Sequence, residues 1–180
     1  MKKDNRTIFD ELPESDYFKS HKKAVKKFRN VVAFPDALGF DQDMGGFIAL
    51  HRMHVDIALP EELPGCLILK KLGFCLVLLG EESGHASVDL LIGETYFEIK
   101  RVSKARNIQN AIIWQMRFAK RKADNLILHV DQVAHPESVR RAIYRGIKKY
   151  SRIRLVWLIY EGQFWQLSRA MILEGKFLLK

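Results

Sequence analysis

Two acidic residues and a lysine stand among the apolar residues on either side of Gly93-Glu94 in the segment 88–102. Asp89 stands directly before Leu-Leu-Ile, and Glu98 and Lys100 flank an isoleucine in the next apolar run. Carboxylate oxygens are the ligands that hard divalent cations prefer. A neighbouring ammonium can orient a water molecule or offset the charge that develops in a transition state. These three residues are therefore candidates for metal-dependent catalysis.

The same segment is typical of a β-hairpin that turns at Gly93 and Glu94. A Gly-X pair between two strand-like runs indicates a two-residue turn in which the glycine adopts a positive φ. Counting outward from this turn places Asp89 opposite Glu98, on one face of the sheet, with Cβ atoms about 4.5–5.5 Å apart. Lys100 shares that face because it lies two residues beyond Glu98. A cation would stabilise two opposed carboxylates; alternatively, both acids face solvent or simply pair with Lys100.

Hydrophobic periodicity predicts the elements that must position this hairpin. The predicted helices are Ser20–Val32, Pro60–Leu72 (with Pro64 in its first turn and Gly73 just past its end), Ile108–Ala123 and Pro136–Tyr150. The predicted strands are Phe74–Leu79, Ser87–Ile92, Thr95–Val102, Asn125–Val130, Arg154–Tyr160 and Gln163–Ser168, with a loop over Phe34–Gly46 and extended chain over Phe47–Ala58. This order predicts an α/β fold in which helices flank a mixed central sheet. We expect one compact domain from residue 45 onward, preceded by a helical N-terminal extension over residues 1–44.

Positive charge is concentrated in the second half of the chain. The 180 residues carry a net charge of +9, and the range Arg101–Arg154 contains fourteen Lys or Arg against three acids. That range alone has a surplus of eleven positive charges, so the rest of the chain is slightly acidic. A concentrated basic region suits a polyanion such as nucleic acid, although a solvated basic surface would give the same count.

Other classes of protein are disfavoured by composition. No apolar run approaches the roughly 18–20 residues that a membrane span needs, and Met1–Asp16 lacks the apolar stretch of a signal peptide. We therefore expect no membrane span, and either a cytoplasmic protein or one whose export route is not written in this sequence. We also expect no small-molecule cofactor. Cys66 and Cys75 are expected to be buried free thiols. His51 and His54 are three residues apart, which on the strand predicted there disfavours a zinc site.

Asp89 followed by Glu98-Ile99-Lys100 resembles the motif of the PD-(D/E)XK nuclease superfamily, although Val88 replaces that family's proline. The predicted order α-β-β-β-α-β over residues 60–130 resembles the core of the same family. The resemblance implies a restriction-endonuclease-like fold for residues 45–180 and hydrolysis of phosphodiester bonds. It also implies Mg²⁺ or Mn²⁺ held by Asp89, Glu98 and the carbonyl of Ile99, with Lys100 beside the reacting phosphate.

An acid from the first core helix often joins the site in this family. Glu61 and Glu62 both fit that position, and Glu62 is preferred. An acid in the first turn of a helix is also favoured by the helix dipole without any catalytic role.

A narrower resemblance is to the C-terminal toxin domains of contact-dependent growth inhibition systems and related polymorphic toxins. Residues 69–81, the hairpin and residues 156–167 carry it, while Lys122 stands where those relatives often have glutamine. It implies a bacterial toxin-type RNase acting on tRNA in the cytoplasm, with an acidic immunity protein as a further partner. The alternatives are a DNA endonuclease of the repair, junction-resolving or restriction type, and a nucleic-acid-binding module with an inactive site.

Several basic residues are candidates for gripping the nucleic acid. They follow the hairpin directly or lie on the next predicted helix: Arg101, Lys104, Arg106, Arg117, Arg121 and Lys122. The helix Pro136–Tyr150 has an apolar face and a basic outer stripe, for which backbone tracking and simple solvation are equally good explanations. Trp114, Trp157 and Trp165 are more typical of core residues than of base-stacking platforms.

Overall fold

A computed structural model of the protein describes residues 31–33, 47–51, 59–79 and 88–179. In chain order the elements are β1 (Val31–Ala33), β2 (Phe47–His51), α1 (Leu59–Lys71), β3 (Cys75–Leu78), β4 (Leu90–Ile92), β5 (Thr95–Val102), α2 (Ile108–Ala119), β6 (Asn125–Val130), α3 (Pro136–Lys149), β7 (Leu155–Tyr160), β8 (Gln163–Ser168) and α4 (Arg169–Leu173). None of the helices in these ranges combines the length and the apolar composition that a membrane crossing requires.

The eight strands form one mixed sheet whose spatial order follows the order of the chain. The pairs β3–β4 and β4–β5 are antiparallel, and β5–β6 and β6–β7 are parallel. Parallel neighbours need a crossover connection, and here α2 and α3 supply it. The α/β fold predicted from the sequence is therefore confirmed, and its elements from α1 to β6 follow the order α-β-β-β-α-β.

The two faces of β5 belong to two separate clusters of buried apolar residues. Phe97 and Ile99 pack in the cluster that includes residues of α1, whereas Val102 packs in the cluster that includes α2 and α3. Because side chains alternate along a strand, Glu98 and Lys100 lie on the same face as Val102. The candidate catalytic residues are thus directed to the side of the sheet that α2 covers.

The junction between α1 and β3 follows the chemistry expected of glycine. Gly73 has φ +88°, and the Phe74 N–H donates to the Leu69 carbonyl at 3.0 Å. Together with the bond from Gly73 N–H to the Lys70 carbonyl at 2.9 Å, this is a Schellman motif. Cys66 and Cys75 on either side of it are both buried and both free thiols, as predicted.

Some predicted boundaries are wrong. Val31–Ala33 is a strand paired with β2, so the predicted helix Ser20–Val32 cannot continue through Val32. The rest of that helix, the loop Phe34–Gly46 and the part of Phe47–Ala58 after β2 lie outside the described residues. Pro64 lies in the second turn of α1, not the first, because the helix already begins at Leu59.

The predictions also missed two features of the chain's second half. Helix α2 ends at Ala119 instead of Ala123, because Arg121 and Lys122 donate to carbonyls three residues back and so tighten the chain. The short helix α4 was not predicted, although Ser168 caps it by accepting a hydrogen bond from Met171 N–H at 3.2 Å.

Candidate active site

The β4–β5 hairpin has the register predicted from its turn. Leu90 pairs with Phe97, and Gly93 has φ +61°. The ladder ends at Leu90, and the carbonyl of Asp89 accepts a hydrogen bond from Leu79 N–H of the preceding strand region at 2.9 Å. The β4–β5 ladder therefore does not extend to Asp89, and the two chain segments separate there.

The side chain of Asp89 fills the gap that this separation leaves. Its Oδ2 accepts a hydrogen bond from the Ile99 N–H at 3.1 Å. A carboxylate thus occupies the place that a backbone carbonyl would take if the ladder continued. This bond holds Asp89 against β5, beside the side chains of Glu98 and Lys100.

Three oxygen atoms converge on the ammonium of Lys100. Its Nζ lies 3.0 Å from Asp89 Oδ2, 2.5 Å from Glu98 Oε1 and 3.0 Å from the carbonyl oxygen of Ile99. The two carboxylates and the ammonium therefore lie together, as the register predicted. These are also the three oxygen ligands that the resemblance implied for a divalent cation.

Burial makes the carboxylate pair electrostatically costly. The side chain of Glu98 is 0% exposed, and its Oε2 has no hydrogen-bond partner within the described part of the chain. Burial and, secondly, the charge of Asp89 raise the pKa of Glu98 to about 7, against the opposing effect of Lys100 and Lys122. Burial also acts to lower the pKa of Lys100, but the two carboxylates outweigh it and raise that pKa. Lys100 therefore stays protonated at neutral pH.

Lys122 brings a second ammonium to the cluster. Its Nζ lies 3.4 Å from Asp89 Oδ1 and 3.4 Å from Glu98 Oε1, and its side chain is 36% exposed. The tightened turn after α2 carries it there. Its basic character made it a candidate for gripping nucleic acid, but its contact with the carboxylates was not predicted. The sequence did hold one signal for this contact: Lys122 stands at the position where the toxin domains that the chain resembles often have glutamine.

The donor set fits a hard cation, although it is small. Among the described residues, no three or more His, Cys, Asp or Glu side chains are grouped as a metal site. Asp89 and Glu98 supply two carboxylates, and the Ile99 carbonyl supplies the third oxygen. All-oxygen coordination of this kind, completed by water, suits Mg²⁺ or Mn²⁺.

The structure separates the two acids that were candidates on α1. Glu62 is buried, whereas Glu61 is exposed. The pKa of the Cys66 thiol is raised first by burial, then by the charge of Glu62, and then by that of Asp89. Glu62 is therefore near the buried thiol of Cys66, one helical turn along α1, and it remains the candidate third acid of the two.

Arg101 is directed away from the carboxylate cluster. Its Nε donates to Asp131 Oδ2 at 2.9 Å, and its Nη1 donates to the Pro60 carbonyl at 3.1 Å. In a regular helix that carbonyl would accept from the N–H of residue 64, which is a proline and has none. Arg101 thus completes the hydrogen bonding of α1, a structural role that sequence reasoning did not identify.

The other basic candidates are spread over the surface. Lys104 and Arg106 are exposed in the loop after β5, and Arg117 and Arg121 are exposed on or just after α2. Of the six predicted nucleic-acid-binding residues, Lys122 is the one that contacts the cluster. His51 lies on β2, and His54 falls outside the described residues.

The tryptophans divide into two groups. Trp157 is buried and Trp165 packs against the core, as predicted. Trp114 is 53% exposed, so the prediction of a core position is wrong for this residue. The buried His129, whose pKa is lowered chiefly by burial, was not singled out by any sequence pattern.

Relatives were sought by comparison with family models, with curated proteins and with solved structures, and none of the three comparisons gave a match.

Proposed function

We propose that the protein is a metal-dependent endonuclease that hydrolyses phosphodiester bonds at the Asp89–Glu98–Lys100 cluster. One observation carries the proposal: three oxygen atoms, from Asp89 just before β4 and from Glu98 and Ile99 on β5, converge on the ammonium of Lys100. The Glu98 carboxylate is buried, and its Oε2 has no hydrogen-bond partner among the described residues. A buried acidic pair of this kind is expensive unless a cation balances it. The resemblance to the PD-(D/E)XK superfamily supports the same activity.

Each residue of the cluster has a role that follows from its contacts. Asp89, Glu98 and the Ile99 carbonyl would hold Mg²⁺ or Mn²⁺, which when bound supplies Lewis acidity and an acidified water. With those oxygens engaged, the Lys100 ammonium would be available to orient the attacking water or to offset charge on the phosphate. Lys122, partly exposed at the rim, is placed to neutralise a second phosphate oxygen. Glu62 is the candidate third acid.

The preferred substrate is RNA, specifically tRNA, and the preferred setting is a bacterial toxin acting in the cytoplasm with an acidic immunity protein as partner. This finer assignment depends on the resemblance to contact-dependent growth inhibition toxins. A DNA endonuclease of the repair, junction-resolving or restriction type is the alternative substrate class. An inactive binding module is disfavoured because the two acids and the lysine are all present and adjacent.

The test is cleavage of total tRNA and of supercoiled plasmid by the purified chain in Mg²⁺, Mn²⁺ or EDTA. We expect cleavage that requires a divalent ion and that falls at least about 10³-fold in Glu98→Gln, because the buried ligand is lost while its shape is kept. Glu94→Gln is the matched control, since Glu94 is an exposed glutamate in the turn of the same hairpin.

Activity that persists in EDTA, or that is equal in Glu98→Gln and the wild type, would overturn the mechanism. Cleavage of tRNA with the plasmid left intact would support the RNase, and the reverse result would favour the DNA endonuclease. Circular dichroism of both variants checks that each is folded.

A further inference from the structure

The outer surface of α2 carries two large aromatic side chains in contact with solvent. Trp114 is 53% exposed and Phe118 is 37% exposed, with ring centroids 4.8 Å apart and ring planes at 75°. Tryptophan is highly buried on average in soluble domains, and an exposed aromatic pair is unusual for a surface that has no partner.

Cations surround this aromatic pair. The guanidinium carbon of Arg117 lies 5.5 Å from the centre of the Trp114 ring, and that of Arg121 lies 5.8 Å from the Phe118 ring. On the neighbouring surface, the ammonium groups of Lys120 and Lys149 lie 4.7 and 5.8 Å from the ring of Tyr150. We call Trp114, Phe118, Arg117, Lys120, Arg121 and Lys149 the α2 patch.

A surface cavity of about 530 Å³ borders four residues of the α2 patch, Trp114, Arg117, Lys120 and Lys149. Among the described residues that line it, Arg117, Lys120 and Lys149 are cationic and none is acidic, and Trp114 forms part of its wall. The cavity therefore combines an aromatic surface with a strongly positive field. That combination is complementary to a ligand with stacked rings and negative charge.

The position of the α2 patch relates it to the carboxylate cluster. Residues 114, 117, 118 and 121 are spaced three or four apart, so they lie along one side of the helix and its following turn. The next residue in the chain, Lys122, contacts Asp89 and Glu98. A nucleic-acid strand that ran along the α2 patch toward the C-terminal end of α2 would therefore lead to the carboxylate cluster of Asp89 and Glu98.

We propose that the α2 patch binds a single-stranded segment of nucleic acid, with an unpaired base stacked on Trp114 and phosphates paired with the surrounding cations. The proposal rests on the proposed nuclease function and narrows its substrate to one with unpaired nucleotides near the cleavage point. An unpaired base is required because a duplex hides the faces of its bases, whereas aromatic platforms accept any exposed base.

The test is binding of the full chain, in EDTA so that no cleavage occurs, to fluorescein-labelled oligouridylate and oligothymidylate of about 10 nucleotides. A blunt-ended duplex of the same length that carries the same label is the paired comparison. We expect Trp114→Ala to weaken single-strand binding about 5- to 150-fold and Trp114→Phe to retain most of it, because a ring is kept. We also expect strong quenching of tryptophan fluorescence in the wild type and much weaker quenching in Trp114→Phe. Of the remaining tryptophans, Trp157 is buried and Trp165 is partly buried against the core.

Salt dependence measures the contribution of the cations. Neutralising both Arg117 and Arg121 with alanine should reduce the slope of log K against log salt concentration by about 1.4. Arg154→Ala is the matched control, because Arg154 is an exposed arginine outside the α2 patch. Arg154→Ala should change the slope of log K against log salt concentration less than the double variant does.

Three results would overturn the proposal: equal affinity of Trp114→Ala and the wild type, tighter binding of the blunt-ended duplex than of either single strand, or a concentration-dependent dimer that Trp114→Ala dissociates. The last would mean that the patch is covered by a second copy of the chain. Binding of either oligonucleotide through Trp114 supports the proposal, and the comparison of the two identifies the preferred sugar.

The two proposals fail in different ways. Trp114-dependent binding without metal-dependent cleavage would leave the α2 patch standing and remove the nuclease. Metal-dependent cleavage that is unchanged in Trp114→Ala would support the nuclease and overturn the role of the α2 patch.

Discussion

The contacts of Lys100 show how the fold tolerates two adjacent carboxylates. Glu98 is fully buried and Asp89 is close to it, so burial and the charge of Asp89 both disfavour ionisation of Glu98. The Lys100 ammonium lies between them and offsets part of that repulsion. A cation bound to the same oxygens would have to displace the ammonium, so the metal and Lys100 should compete for one position.

We predict that the metal-free protein loses stability as the pH rises from 4.5 through about 7. The pKa of Glu98 is raised from its ordinary 4.5 to about 7, chiefly by burial, so the folded state holds this proton more tightly than the unfolded chain does. The stabilising contribution is complete below 4.5 and is lost as the pH passes 7. Glu98→Gln, which cannot ionise, should therefore gain about 2–3 kcal/mol on the wild type across this range.

Urea unfolding in EDTA at several pH values measures this difference. His129 acts in the opposite direction, because burial lowers its pKa and stability falls as the pH drops below its ordinary value of 6.5. Since both proteins contain His129, the difference between them isolates Glu98. A difference that is constant with pH would contradict the prediction.

Helix α1 depends on a contact from a distant strand. Pro64 cannot donate to the Pro60 carbonyl, and Arg101 donates to that carbonyl instead, at 3.1 Å. The same guanidinium forms an ion pair with Asp131 just past the end of β6. Arg101 thus fastens the start of α1, and with it Glu62, to the strand that carries Glu98 and Lys100.

We predict that Arg101→Ala costs about 1 kcal/mol more in the wild type than in a Pro64→Ala background. In that background the N–H of residue 64 can bond to the Pro60 carbonyl, so this contact of Arg101 becomes redundant. A double-mutant cycle by urea unfolding measures the coupling, with Arg106→Ala as a control at an exposed arginine of the following loop. Additive free energies would show that the contact with Pro60 contributes nothing.

The whole domain should respond to metal through the site. A ligand that binds only the folded state stabilises it by mass action, which at tenfold excess over the dissociation constant amounts to about 1.4 kcal/mol. For a chain of this size that corresponds to a rise in Tm of about 3–6 °C. We therefore predict that Mn²⁺ raises the Tm of the wild type and of Glu94→Gln, but not that of Glu98→Gln.

Differential scanning calorimetry with a Mn²⁺ titration checks this without any nucleic acid. An equal shift in Glu98→Gln would mean that the metal acts elsewhere on the chain. An absence of any shift in the wild type, at concentrations that support cleavage, would contradict binding at Asp89 and Glu98.

Much of the fold followed from short-range patterns. The bounds of β5, β6 and β8 agree with the sequence predictions residue for residue, because short apolar runs and the residues that flank them act within each strand. The predictions were weaker at helix ends, where the last turn of α2 tightens without any change in the apolar pattern. The exposure of Trp114 also escaped prediction, since helical periodicity indicates which side is apolar but not what covers it.

The proximity of Asp89 to Glu98 was implicit in the chain, because a two-residue turn and a period of two determine which side chains share a face. The arrival of Lys122, 33 residues after Asp89, was not, and neither was the bond from Arg101 to Pro60. Both depend on how α1 and α2 pack against the sheet. Local geometry propagates only along a strand or through a tight turn, whereas contacts between elements are set by the packing of the whole core.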